Sequence, residues 1–348
     1  MAKKTKTDGG AFQRLKSALK TGLLGRCYVL YGEEDYIRTL YLKRIQETIL
    51  DGPAADFNLH RFDRESLDWE AVATAVETLP MMAERSLVVI TDIDLYKEPE
   101  GARDKIAAIL SDLPAHCCLV FHYDTVSFSP DRRMRKLHGA IEDAAELVEF
   151  QKQPASELRV WIRKQAKAGG KDIDMETSDY LAFLTDGSLS AMEGEIKKLC
   201  AYAKGELISR QDVDDLVEPA LTAVSFDISN AIVDGDYDRA LLKLRELFAM
   251  QQEPIVLLGA VAGQMRRLQC ARTLSDYGRG NSELMKLCGV GEYAARLTMN
   301  AARRLPASFC GNAVLLCLET DRQLKSSYDD PKRLMELLLI RLAGEARA

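Results

Sequence analysis

From Phe12 to Phe150 the apolar positions switch between two spacings. Phe12, Leu15, Leu19 and Leu23 recur at helical intervals, and so do Ile37, Leu40, Tyr41, Ile45 and Ile49 within YIRTLYLKRIQETIL (36–50). Short apolar runs interrupt them: CYVLY (27–31), which ends at Gly32, the alternating FNLHRFD (57–63), SLVVI (86–90), CCLVFHY (117–123) and ELVEF (146–150). Helical spacing returns around Trp69 to Glu77 and Arg103 to Leu113. Strands without a polar face, separated by helices, predict a parallel sheet covered on both sides, an α/β domain over residues 1–150.

After Phe150 the strand pattern is expected to stop. QKQPASELRVWIRKQAKAGG (151–170) has Pro154 near a helix start, Ser156 as a candidate cap, a stripe of Leu158, Trp161 and Ile162, and Gly169-Gly170 to end it. With SLSAMEGEIKKLCAYA as one long helix and SRQDVDDLV as a short capped one, residues 151–219 read as a small helical domain. Pro219 and the stretch to Ala223 are a candidate linker, and 220–348 is helical throughout. Pro254 opens a helix with Leu258, Val261, Met265 and Leu268 on one face. The closing helix, DPKRLMELLLIRLA, is apolar around most of its circumference, which predicts packing on several sides. There is no internal repeat.

Length and composition permit two or three cores: 348 residues, 47% hydrophobic and 29% charged. The longest uncharged apolar runs fall short of the roughly 20 residues of a membrane span, and the N-terminus has no signal-peptide core, so a cytoplasmic location is expected. Eight cysteines are scattered with no CxxC pair, so they read as small buried hydrophobes, and no metal site is expected. The net charge of −6 argues against a chain coated in nucleic acid. Basic residues do concentrate locally, at Lys3, Lys4, Lys6, Arg14, Lys16, Lys20 and Arg26, and again at Arg266, Arg267, Arg272, Arg296, Arg303 and Arg304. Subunit interface or solvent is the expected setting of each of the latter, with non-specific phosphate contact as the alternative.

An α/β domain followed by helical domains directs attention to the first strand-to-helix turn, where a nucleotide cradle would sit. A phosphate loop needs glycines for backbone N–H groups to wrap the anion, a lysine to neutralise it and a hydroxyl for magnesium. Here YGEEDYIR (31–38) has one glycine, no lysine, and three consecutive carboxylates, Glu33, Glu34 and Asp35. Those acids suit the positive end of a helix dipole and oppose phosphate. The run LVVITDID (87–94) has Asp92 after an apolar strand, but Ile93 follows where a water-positioning glutamate would be needed, and an ordinary strand-end turn is expected. No nucleophile triad, HExxH or dinucleotide fingerprint is present, and of the four histidines His116 and His122 read as structural. No catalytic residue and no cofactor is expected.

Six stretches together carry a family likeness: YVLYGEEDYIR (28–38), LPMMAERSLVVI (79–90), PASELRVWIRKQAKAGG (154–170), LSAMEGEIKKLCAYAKGELISRQDVDDLV (189–217), QEPIVLLGAVAGQMRRL (252–268) and ETDRQLKSSYDDPKRLMELLLIRL (319–342). Their order and spacing resemble the delta-subunit family of bacterial DNA polymerase III clamp loaders, over nearly the whole chain. The resemblance implies an AAA+-like α/β domain without a functional nucleotide loop, a small helical lid and a helical collar for oligomerisation. It also implies a non-hydrolysing subunit at the bacterial replisome that binds and opens the sliding clamp, the ring-shaped beta subunit. The other implied partners are the gamma/tau ATPase subunits and delta prime in a hetero-pentamer, with primed DNA met through the assembled complex. The family's clamp-binding element, a short helix and turn bearing two large apolar residues, matches Leu79, Pro80, Met81 and Met82, although Met-Met stands where an aromatic or leucine is more common.

The physics of such a plug stands beside the resemblance. Burying a methionine is worth about 1.5–3 kcal/mol, its unbranched chain fills irregular pockets, and Pro80 restricts the turn. Alternatively both methionines cap the core of their own domain. At the level of the whole protein the alternatives are an active AAA+ ATPase of DNA repair or remodelling, and a nucleic-acid-binding helicase accessory.

Overall fold

In the computed structural model, which describes residues 10–50 and 54–347, the apolar runs of the first part of the chain pair into one five-stranded sheet. The strands are β1 (Cys27–Tyr31), β2 (Leu59–Phe62), β3 (Ser86–Thr91), β4 (Cys117–His122) and β5 (Glu146–Glu149), all parallel, in the order β2-β3-β4-β1-β5. Helices α1 (Gly10–Thr21), α2 (Asp35–Ile49), α3 (Trp69–Glu77), α4 (Glu100–Ser111) and α5 (Arg135–Ala144) cover it. The period of two sends alternate strand residues to opposite faces. Tyr28, Leu30, Leu87, Val89, Cys118 and Val120 share a core with Leu15, Tyr41 and Ile45 of α1 and α2. Val29, Val88, Ile90, Leu119 and Phe121 meet Val72, Ile106, Leu110, Leu137 and Ile141 of α3 to α5. This is the parallel sheet covered on both faces, the α/β domain, that the sequence pattern predicts.

Three differences from the sequence pattern matter. Helix α5 is not signalled by its sequence, because only Leu137 and Ile141 supply its buried face. Leu23 is not on the apolar face of α1: the helix ends at Thr21, Gly22 turns at φ 74°, and Leu23 is 79% exposed. Phe57 and Asn58 belong not to β2 but to a 3-10 turn, Ala55–Asn58, which leads into it. Because every strand is parallel, the segments entering β1, β2, β3 and β4 lie along one edge of the sheet, and the strand-to-helix turns lie along the other.

The contacts divide the chain into two units, one through Gln153 and the other from Pro154. The second begins with α6 (Ala155–Ala168), α7 (Met175–Leu184), α8 (Leu189–Tyr202) and α9 (Arg210–Leu216). Pro154, not Ser156, takes the cap position of α6, while Ser188 and Ser209 cap α8 and α9 through their side chains. Strand structure does not stop at Phe150: β6 (Asp172–Ile173) and β7 (Leu207–Ile208) form a short parallel pair that buries Ile173 and Ile208. Two-residue strands are too short to show a period.

Helices α10 (Leu221–Asp234), α11 (Tyr237–Ala249), α12 (Pro254–Asp276), α13 (Asn281–Cys288), α14 (Glu292–Arg304), α15 (Ala307–Ser326) and α16 (Pro331–Arg347) build one further core. Leu258, Val261, Met265 and Leu268 of α12 sit in it as their spacing predicts. The expected linker is shorter than its composition suggests, since α10 starts at Leu221. Helix α16 packs against α10, α11, α12 and α15 as expected, burying Leu334, Met335, Leu338, Leu339 and Leu342, while Leu337 and Ile340 on its remaining face are 44% and 55% exposed. Among the described residues no single helix is long and apolar enough to cross a membrane, and every cysteine is a free thiol. Lys3, Lys4 and Lys6 lie outside the described residues.

Candidate partner-docking site

Helix α3 starts on Asp68, whose carboxylate accepts from the Glu70 N–H at 3.1 Å, and its first residue, Trp69, donates from Nε1 to Glu98 Oε2 at 3.0 Å. It stops at Thr78, where the backbone turns extended while the Thr78 N–H and hydroxyl both donate to the Thr74 carbonyl. Pro80 opposes further winding, because its ring crowds the backbone of Leu79 out of the helical region. Chain leaving the helix must therefore run out over the surface before β3 begins. Leu79, Met81 and Met82 are 75%, 52% and 88% exposed, and Pro80 is half-buried. Neither methionine caps the core: Val72, Val76, Val88 and Ile90 fill it without them.

The loop is nonetheless held. The buried Asn58 side chain accepts from the Met81 N–H through Oδ1 at 2.6 Å and donates through Nδ2 to the Met81 carbonyl at 2.9 Å. Both backbone polar groups of Met81 are thus satisfied by one amide, with the Met81 side chain turned outward. Met82 follows with φ 50°, a left-handed conformation in which a non-glycine residue is strained by about 1–2 kcal/mol. Past the turn, the Arg85 guanidinium donates to the carbonyls of Leu24 at 2.8 Å and Gly25 at 2.7 Å, fixing the loop to the segment that enters β1. The result is an apolar tip on a rigid base, on the strand-entry edge of the sheet. Asn58 and Arg85 were not legible as site residues, because each acts on backbone that only the folded sheet brings near. The one sequence signal available is a polar residue placed before an apolar strand.

At the opposite edge, the turn that would cradle a nucleotide is closed on itself. Gly32 has φ 122°, and a Cβ there would lie 2.3 Å from the Phe150 carbonyl oxygen, so glycine is required by contact with the end of β5 rather than by an anion. The Glu34 N–H donates to that same carbonyl at 3.0 Å, and the Phe150 N–H donates to Tyr31. The Gly32 carbonyl faces inward and accepts from Arg38 Nη1 at 2.6 Å, while Arg38 Nη2 pairs with Asp124 Oδ1 at 2.7 Å. Among the described residues Arg38 is the largest fully buried side chain, and it went unmarked in the sequence pattern.

The three carboxylates do not act alike there. Glu34 is buried, and burial, with Asp35 beside it, pushes its carboxyl up to about 6, so it is not the solvated partner for the helix dipole that the sequence suggests. Asp92 ends β3 at φ 57°, and its carboxylate accepts from the N–H groups of Asp124, Thr125 and Val126 at 2.7, 2.8 and 3.1 Å. Burial opposes its charge, but these bonds outweigh that and hold its pKa below the ordinary range. It is a strand-end lock. His122 is buried beside Arg38, and both burial and that charge lower its pKa.

The basic residues of the second unit are largely engaged within the chain. Arg272 donates to the Leu305 carbonyl and pairs with Asp276, Arg304 pairs with Asp234, Arg267 contacts Gln264, and the Arg296 guanidinium lies 5.5 Å from the centre of the Tyr293 ring. Among the described residues no group of three or more His, Cys, Asp or Glu is placed to hold a metal ion.

A family model described as DNA polymerase III, delta subunit, matches residues 28–151, and one described as DNA polymerase III delta subunit, C-terminal domain, matches residues 223–342. The chain is 28% identical over 330 residues to DNA polymerase III subunit delta of Bacillus subtilis (strain 168), covering 93% of this chain and 95% of that one. It is 22% identical over 321 residues to the subunit delta of Escherichia coli (strain K12), covering 91% and 90%. Among solved structures, the Bacillus subtilis DNA clamp loader delta protein aligns over 96% of this chain and 99% of its own, at 26% identity and a TM-score of 0.58.

Proposed function

The chain belongs to the delta-subunit family of DNA polymerase III, and on that footing we propose that it binds the sliding clamp through Leu79, Pro80, Met81 and Met82 and holds one clamp interface open for loading onto primed DNA. The observation that carries the reading is the tip itself: two methionines half to fully exposed on a loop whose backbone is fixed by Asn58 and Arg85. A fixed tip loses little conformational entropy on docking, so more of the apolar burial appears as affinity. The two anchors dominate and the polar neighbours, such as Glu84, form a rim.

On the same reading the chain does not hydrolyse ATP. The Glu34 N–H is already bonded to the Phe150 carbonyl at the turn where a phosphate would need donors, the Arg38 guanidinium is spent on the Gly32 carbonyl, and Glu33, Glu34 and Asp35 occupy the turn itself. ATP binding by the gamma/tau subunits would then uncover the tip within a hetero-pentamer that also contains delta prime. Residues 151–219 serve as the lid and 220–348 as the collar, and the protein works at the replisome as part of the polymerase III holoenzyme. Replacing Met81 and Met82 together by alanine is the direct test. Binding to the purified clamp, measured by titration, should be lost while the unfolding midpoint stays within the range of a neutral surface change. Retained binding, or a collapsed fold, overturns the reading. Nucleotide binding to the isolated chain at micromolar ATP would favour the alternative, an AAA+ ATPase of repair or remodelling.

A further inference from the structure

The 3-10 turn Ala55–Asn58 has no part in the four-residue element, yet it is joined to it by both hydrogen bonds of the Asn58 amide. Asn58 is 2% exposed and its Nδ2 also reaches the Ala54 carbonyl at 3.2 Å, which fixes the rotamer that meets Met81. An amide is the side chain suited to this task, because it accepts and donates side by side and so matches a backbone N–H and C=O. The residue before it, Phe57, is 69% exposed, an unusual setting for a phenyl ring on a turn otherwise drawn inward by Ala54 and Asn58. The turn enters β2 and the methionine loop enters β3, and these strands are hydrogen-bonded neighbours in the sheet. Phe57 therefore stands on the same edge as Met81 and Met82, one strand across.

We infer that the Ala55–Asn58 turn is the second half of the clamp-docking element, with Asn58 as the positioning residue of the methionine tip and Phe57 as a third apolar anchor for the clamp. This rests on the docking role proposed above for Leu79 to Met82. Asn58 touches no partner; it acts by holding Met81 in the docked geometry before the clamp arrives. Phe57 adds a rigid aromatic surface beside two flexible side chains, so the clamp pocket has one fixed wall to register against.

The experiment measures binding of the full-length chain to the purified sliding clamp of the same organism, with the unfolding midpoint recorded for each variant. Phe57→Ala removes an exposed ring, so it should weaken clamp binding about tenfold without moving the midpoint. Asn58→Asp keeps the shape and the acceptor for the Met81 N–H but loses the donor to its carbonyl. It should also weaken binding about tenfold, because the Met81 carbonyl loses its donor and the tip one of its two tethers. Asn58→Asp sets a buried carboxylate oxygen against the Ala54 and Met81 carbonyls, so the neutral Asn58→Ser, which also loses the paired amide contact, decides the matter should the aspartate variant not fold. A residue with only a structural role would shift the midpoint and leave clamp affinity of the folded chain unchanged. If Phe57→Ala and Asn58→Asp bind like the unmodified chain while Met81→Ala/Met82→Ala does not, the inference is overturned and the docking role of the methionines stands. If the double methionine variant still binds, the docking role fails first.

Discussion

Met82→Gly should raise or preserve the stability of the fold and at the same time weaken clamp binding, a pair of opposite signs that few substitutions produce. Met82 is 88% exposed, so its removal takes almost no buried surface from the folded chain. Its φ of 50° costs a non-glycine residue about 1–2 kcal/mol, and glycine escapes that cost while giving up roughly 0.5–1 kcal/mol of chain entropy. The net expectation is a gain of roughly 0–1.5 kcal/mol. On the clamp side, a side chain so exposed has nearly all of its burial still to gain, about 1.5–3 kcal/mol, or about 10- to 150-fold in affinity. Urea titration reads the first quantity and a binding titration with the purified clamp the second. Met82→Ala is the control: it should lose the same affinity but keep the strained backbone, and so fall below the glycine variant in stability by about 1 kcal/mol. A lowered midpoint for Met82→Gly would mean that Met82 packs within its own domain. An unchanged clamp affinity would mean that the tip is not the docking element.

The closed turn at the other edge yields two further expectations. Gly32→Ala places a Cβ 2.3 Å from the Phe150 carbonyl at a φ of 122°, so the end of β5 must move; a loss of roughly 3 kcal/mol or more in denaturant titration is expected, and a near-neutral result would refute the close approach. Glu34 has its folded pKa raised to about 6, so the folded chain holds a proton there that the unfolded chain has released, and stability falls as pH rises from the ordinary glutamate range through about 6. Glu34→Gln should remove that fall and leave the protein more stable near pH 7 by roughly 2 kcal/mol, with little change below pH 4; equal pH profiles for the two chains would sink the account.

Much of the fold was legible along the chain because burial on both faces writes strands as unbroken apolar runs, and the central strands β1, β3 and β4 lie where those runs predict. The failures occurred where the signal is thin. Helix α5 shows two buried apolar residues, β6 and β7 are two residues long, and Leu337 and Ile340 are apolar without being buried, so a pattern alone cannot tell their exposed face from a packed one.

For the candidate site the division is similar. The sequence by itself determined that a proline and two methionines follow a helix at a surface turn, and that three carboxylates stand where a nucleotide loop would need glycine and lysine. Only the tertiary structure decided which way the methionines face, because their exposure depends on Val72, Val76 and the strands having already filled the core. It alone brought Asn58 to Met81, Arg85 to Leu24 and Arg38 to Gly32, contacts that span 23, 61 and 6 residues and pair side chains with backbone. A backbone carbonyl or N–H has the same chemistry at every position of a chain, so no residue code announces which one a distant amide or guanidinium will meet.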